Sequence, residues 1–369
     1  MEAGESRVAV WRSEAGVAPP ARVQLADDTQ SADVAYRLAC EGTALLWRGD
    51  FQNARQLLQA MARRVDRKPP KPGPAPFEVF HLQRRAQAQR ARTLGMLLIP
   101  FAADHLIPLR RAPDVRQACT EVYGDCAVPY VASLRELLGL IGAHEWRKNG
   151  VEVPALGERI YPHYGVFSPV RSEYVALVAE APLPKSQASN SLAFDIGTGT
   201  GVLAAVLARR GVARVVATDQ DMRALCCARD NIARLGLNAQ VDVVQANLFP
   251  PGRAPLIVCN PPWIPARPSS PLEHAVYDPD SSMLRGFLDG LVAHLTPAGE
   301  GWLILSDLAE HLELRSRSEL LSLIEQAGLL VLGRTDVRPT HPRSADVTDP
   351  LHAARTAEVT SLWRLGAKG

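Results

Sequence analysis

From Leu192 onward the chain alternates short, continuously apolar runs with amphipathic runs of helical period. LAFDIG, ARVVATD, QVDVVQAN, PLIVCN and GWLILSDL read as strands, and GVLAAVLARRG, DMRALCCARDNIARLG, SSMLRGFLDGLVAHL and SELLSLIEQAG as helices. A strand apolar on both faces must be covered on both faces. That confines the segment to a parallel sheet held between helices. The last two apolar runs, LLVLGRTDV and AEVTSLWRL, have no helix between them and are expected to pair antiparallel. RPTHPRSADVTDPLHAAR loops between them at one edge. The expected fold is α/β, a doubly wound, mostly parallel sheet of seven strands.

The first part of the chain has another pattern. SADVAYRLACEGTALLWRGDFQNARQLLQAMARRV carries Leu38, Leu45, Leu46, Leu57, Leu58 and Met61 near helical spacing, with Ser31 as a candidate N-cap. EVFHLQRRAQAQRARTLGMLLI, RAPDVRQACTEVYG and SLRELLGLIGAHEW continue it, with some strand between Gly95 and Leu109. RKPPKPGPAP is a Pro-rich break, and residues 1 to about 30 read as a loose lead-in. The division is therefore 1–150, a mostly helical N-terminal domain, and 151–369, the sheet domain, with KSQASN a polar linker ahead of its first strand.

Charge is spread unevenly. The net charge is +2, but between Arg48 and Arg116 fourteen Lys/Arg stand against five Asp/Glu, a local +9 that leaves −7 for the rest. Such an excess suits a solvated helix face, or an acidic partner such as RNA or a protein surface. The six cysteines, Cys40, Cys119, Cys126, Cys226, Cys227 and Cys259, show neither zinc-site spacing nor a disulfide framework. They read as reduced thiols of a cytoplasmic protein. LGMLLIPFAADHLIPL is cut by Pro100, Asp104 and Pro108 and is no membrane span. No metal site is expected. His163, His274 and His341 are scattered and read as structural or exposed.

Where the first strand of the sheet domain ends, DIGTGTG, Asp195 to Gly201, leads into a helix. Ligands of a doubly wound sheet sit beyond the strand C-termini. Glycines there let the backbone approach a ligand, and the helix start offers free N–H groups. A dinucleotide would suit the place, but its fingerprint is G-x-G-x-x-G. Gly197, Gly199 and Gly201, with Asp195 ahead and Thr198 inside, have the spacing of an S-adenosylmethionine loop. Asp219 closes the second strand, placed to accept ribose hydroxyls or to cap the next helix. Asn247 follows the third, placed to hold an adenine amino group or to turn the chain.

The fourth strand runs into Asn260, Pro261, Pro262 and Trp263. The two prolines fix the backbone and cannot donate hydrogen bonds. The side-chain carbonyl of Asn260 and the backbone carbonyl of Pro261 can then converge on one NH2 and grip both its hydrogens. That draws the nitrogen lone pair out of conjugation and aims it at an electrophile, which is catalysis by positioning. No strong base is needed, since the proton can leave after transfer. Trp263 can stack on a flat acceptor and favour a nearby sulfonium charge. A Pro-rich turn with a packing Trp is the bland alternative.

Together FSPVRSEY, DIGTGTGVL, NPPWIP and YDPDSSMLRGFLDGL resemble the HemK-type protein glutamine methyltransferases, among the class I S-adenosylmethionine-dependent N-methyltransferases with an N-P-P-aromatic motif. The resemblance covers about residues 160 to 335. It implies a Rossmann-like methyltransferase fold and S-adenosyl-L-methionine as cofactor, bound by Asp195, Gly197, Thr198, Gly199, Gly201, Asp219 and Asn247. It also implies an acceptor amide held by Asn260, Pro261, Pro262 and Trp263, in a ribosomal or release-factor-like protein. Ribosomal RNA guanine-N2 methyltransferases share the tetrad and carry an RNA-directed N-terminal domain, so a base amine is the alternative acceptor. The sequence departs from the HemK type at several places. Trp263 replaces the usual Tyr, Asn247 stands where an acid is common, and SPVRSEY, with Pro169 and Glu173, matches loosely. The basic first domain does not look like the usual HemK helical domain.

Overall fold

The computed structural model describes residues 9–67, 73, 75–170, 172–188, 191–268, 273, 275–339 and 346–368; His274, His341 and most of the Pro-rich break lie outside these. Two compact units are present, Met1–Gly73 with His81–Glu145, and Pro74–Phe80 with Trp146–Gly369.

The first unit corrects the expected helical stretch from Ser31. Helix α1, Ala32–Cys40, is capped by the Ser31 hydroxyl as expected but stops at Gly42, whose φ is +80°. Thr43–Trp47 is a strand with Ala44, Leu45 and Trp47 buried. Helix α2, Phe51–Asp66, starts afresh from Asp50, whose carboxylate accepts the Gln52 N–H. Leu45 and Leu46 therefore satisfied a helical spacing by accident. The lead-in is also structured, with β1 at Val10–Trp11 and β2 at Arg22–Ala26. With Thr43–Trp47 as β3, then α3 (Pro76–Gly95), β4 (Leu97–Phe101), α4 (Arg116–Tyr123), β5 (Tyr130–Ser133) and α5 (Leu134–Asn149), the unit is built on a five-stranded sheet. Its order is β1-β5-β4-β3-β2. Helical residues still outnumber strand residues, and β4 falls where some strand was expected.

The second unit opens with a hairpin, β6 (Val151–Val153) and β7 (Glu158–Ile160), and helix α6 (Glu173–Glu180). Then come β8 (Leu192–Ile196), α7 (Val202–Arg209), β9 (Arg214–Asp219), α8 (Met222–Arg234), β10 (Val241–Gln245) and β11 (Ala254–Cys259). The chain continues through α9 (Ser282–His294), β12 (Leu295–Ser306), α10 (Leu308–His311), α11 (Arg317–Gln326), β13 (Leu329–Val337), α12 (His352–Ala357) and β14 (Thr360–Ala367). The seven-stranded sheet runs β10-β9-β8-β11-β12-β14-β13. β14 pairs antiparallel with both β12 and β13, and the other pairs are parallel. Every residue of β11 is buried, as a strand covered on both faces requires. Val258 and Leu256 pack to one side with α6 and α7, Ile257 and Cys259 to the other with α9 and α11. Among the described residues no helix is long and apolar enough to cross a membrane.

Candidate active site

Strand register assembles the predicted residues at one edge. Cys259 of β11 pairs with Ile196 of β8, Ile196 with Thr218 of β9, and Asp219 with Gln245 of β10. Gly197 and Asn260 therefore leave neighbouring strands side by side, with Asp219 level on the other flank and Asn247 two residues beyond β10. β8 is the strand from which the order runs outward in both directions, the switch point at which doubly wound sheets open a crevice.

The glycine loop is tightly defined. Gly197 and Gly201 have φ of +70° and +82°. A Cβ on Gly197 would come within 2.5 Å of Met283 Cε, and one on Gly201 within 3.3 Å of Ala228 Cα. Both positions thus favour glycine for conformation, and Gly201 is also crowded by the backbone of α8. Asp195 and Thr198 turn toward each other beneath the loop. The Thr198 hydroxyl donates to Asp195 Oδ2 at 2.6 Å, and the same oxygen accepts the Ala204 N–H at 3.0 Å, capping α7 from the neighbouring strand. Asp219 braces the loop from the side. Its Oδ2 accepts the Gly199 N–H and its Oδ1 the Asp221 N–H, both at 3.0 Å, while Asp221 caps α8. Asn247 is exposed at the end of the row.

Burial pushes the Asp195 carboxyl up to about 6, helped by the Asp219 charge and opposed by the two hydrogen bonds. The folded protein therefore holds this proton across a range in which the unfolded chain has released it. Its contribution to stability falls as pH rises from about 4 to about 6 and is level above, by roughly 3 kcal/mol in all. Asp195→Asn should flatten this part of the stability profile. Urea unfolding of both proteins across that window measures the difference, and parallel profiles would refute the assignment.

At the tetrad, the indole Nε1 of Trp263 donates to Asn260 Oδ1 at 2.9 Å. Four residues that sequence reasoning left without a role support this corner or the glycine loop. Arg315 is 4% exposed, and its guanidinium donates to the Trp263 carbonyl at 3.3 Å and to Ser281 Oγ at 3.2 Å. Among the described residues no carboxylate pairs with it, and burial lowers its pKa. Ser281 follows Asp280, and both are left-handed, with φ of +54° and +56°, a strained conformation that the surroundings must hold. Asp278, also buried, accepts the N–H groups of Met283 and Leu284 and so starts α9, which carries Met283 to the glycine loop. Asn231, 1% exposed, donates to the Thr200 carbonyl on the loop's other side. Arg315→Met should lower the transfer rate about tenfold by freeing the Trp263 carbonyl, with the melting temperature nearly held, because an apolar side chain replaces a charge whose burial Glu319, Glu310 and Asp278 offset only in part. Loss of folding without a separate rate effect would count against this.

The residues present fit S-adenosylmethionine. The loop leaves glycine backbone at the strand edge, and the Asp219 carboxylate at β9's end keeps lone pairs beyond those it gives to the loop. Glu173 Oε1 and Ser168 Oγ, on the FSPVRSEY segment, are buried and have no hydrogen-bond partner among the described residues, and α6, which Glu173 begins, packs on α7. Buried polar atoms left unpaired call for a partner.

Comparison with known proteins agrees. Residues 158–315 match the family model described as the methyltransferase small domain. A release factor glutamine methyltransferase of Deinococcus radiodurans is 42% identical over 51% of this chain and 66% of its own length. A ribosomal protein uL3 glutamine methyltransferase of Bordetella pertussis is 33% identical over 40% and 52%. A ribosomal protein L11 methyltransferase of Pelotomaculum thermopropionicum is 49% identical over 18% and 22%. The chain spans less than two thirds of the length of each of these relatives. With strand order, glycine loop and family match in agreement, the second unit carries a class I S-adenosylmethionine-dependent methyltransferase domain, similar over part of its length to release factor glutamine methyltransferases.

Proposed function

We propose that the protein transfers a methyl group to the NH2 of a protein glutamine amide, in a ribosomal or release-factor-like protein. The observation that carries this reading is the register Cys259–Ile196, which sets Asn260 beside Gly197 on adjacent strands. S-adenosylmethionine, when bound, supplies the electrophilic methyl. The chain's own residues do the rest. The glycine loop and Asp219 hold the cofactor, with Asp195 and Thr198 shaping the loop from beneath and Asn247 at the adenine end. Asn260 Oδ1 and the Pro261 carbonyl accept the two amide hydrogens, Pro262 keeps the corner rigid, and Trp263 lies against the flat group. The names of the relatives, which concern glutamine in release factors and in uL3, favour a translation-related protein substrate.

A second reading, a base amine in ribosomal RNA, is favoured by the +9 excess between Arg48 and Arg116. One experiment separates them. Cell extract is labelled with the protein and methyl-tritiated S-adenosylmethionine, then treated with protease or ribonuclease. The glutamine reading expects the label to become acid-soluble with protease and to survive ribonuclease. The opposite pattern establishes the second reading.

A further inference from the structure

Asn260 is followed by two residues that have no backbone N–H. An Asn side-chain carbonyl in a turn is ordinarily held by the N–H two residues on. At that position stands Pro262, and Pro261 precedes it, so the local backbone offers the Asn260 oxygen nothing. The first donors after it belong to Trp263, and it is the indole N–H that reaches Oδ1, at 2.9 Å.

Three features make this contact more than incidental. Indole nitrogen is a donor only, so it selects the oxygen end of the carboxamide and excludes the flipped rotamer. The indole is itself held. Its ring packs against three buried apolar clusters, and its residue's carbonyl receives the Arg315 guanidinium at 3.3 Å. Finally, the N–H lies on the flank of the indole, near the backbone, whereas a phenol carries its hydroxyl at the far end of the ring. A tyrosine in the same place would not present a donor to Oδ1 in this way.

We propose that Trp263 is a positioning residue that acts through its N–H: it fixes the Asn260 carboxamide with the oxygen toward the acceptor, using one lone pair and leaving the second for the substrate NH2. This rests on the reading of Asn260 as an acceptor-gripping group. It differs from that reading in assigning the tryptophan a hydrogen-bonding task beside any stacking.

The test replaces Trp263 by 3-benzothienylalanine through stop-codon suppression, which keeps ring size and shape and exchanges the N–H for sulfur. Methyl transfer to the labelled extract fraction should fall about tenfold, the cost of one directional hydrogen bond. Melting temperature and cofactor Kd should stay at the parental values. A readout independent of turnover comes from ¹H–¹⁵N spectra of the full chain, which holds six tryptophans. The indole signal lost in Trp263→Phe belongs to Trp263. It should exchange slowly with solvent in the parent protein, and should move upfield and exchange faster in Asn260→Ala. A benzothienyl variant that transfers at the parental rate, or an indole signal indifferent to Asn260→Ala, overturns the proposal. If instead Asn260→Ala itself transfers normally, the reading of the tetrad fails, whatever the indole signal does.

Discussion

Asn260→Ala is expected to abolish methyl transfer, lowering kcat by about 10²–10³-fold, the scale seen when one preorganised polar group is removed from a reacting centre. Cofactor affinity should hardly change. The reason lies in the division of the strand edge: Asn260 follows β11, whereas the glycine loop follows β8, and Asp195 and Asp219 lie on β8 and β9. Removing the carboxamide also leaves the Trp263 indole N–H without its acceptor. That cost falls on the acceptor corner and not on the loop. Single-turnover transfer together with calorimetric titration of the cofactor checks both halves. A raised cofactor Kd with an unchanged rate would reverse the assignment of roles.

Asp219→Ala should give the opposite pattern. Its carboxylate accepts the Gly199 N–H and the Asp221 N–H, each at 3.0 Å. Losing it removes the brace on the loop and, on the proposed reading, the acceptor for the ribose hydroxyls at once. Hydrogen bonds to a charged group contribute roughly 1.5–3 kcal/mol each, so the cofactor Kd should rise at least about 10²-fold. At saturating cofactor the rate should recover much of its parental value. Burial raises this carboxyl's pKa, so binding should weaken as the group takes up its proton on the acid side. A Kd within twofold of the parent would show that Asp219 does no more than shape the loop.

The sheet and its loaded edge were legible because they are written in contiguous residues. DIGTGTG, the Asp at the end of ARVVATD and the N-P-P-W corner each lie where a strand runs out, and the alternation of strand and helix orders them. Two kinds of feature were not legible. In the first unit, β3 sits between Gly42 and Asp50 inside what scans as one helical period. The signal was turn chemistry: a glycine at φ +80°, then Gly49 with a capping aspartate. At the site, Arg315, Asn231 and the stretch holding Asp278 and Met283 come from separate segments and meet the tetrad or the loop only through tertiary packing. A buried arginine scans like any surface arginine until its neighbours are known. The pairing of Trp263 with Asn260 was hidden for a related reason. The tetrad's usual aromatic suggests a stacking platform, and nothing in the letter W says which way its N–H points.

The insertion of β14 between β12 and β13 also dictates an order of assembly. Synthesis must pass residue 367 before the strand that joins the other two exists. Until then β13 lacks the neighbour it pairs with, and Glu300 on β12 waits for the two-pronged contact from Arg364. The residues of the corner at the end of β11 are synthesised well before this strand, yet the corner belongs to a sheet that is complete only with β14 between β12 and β13.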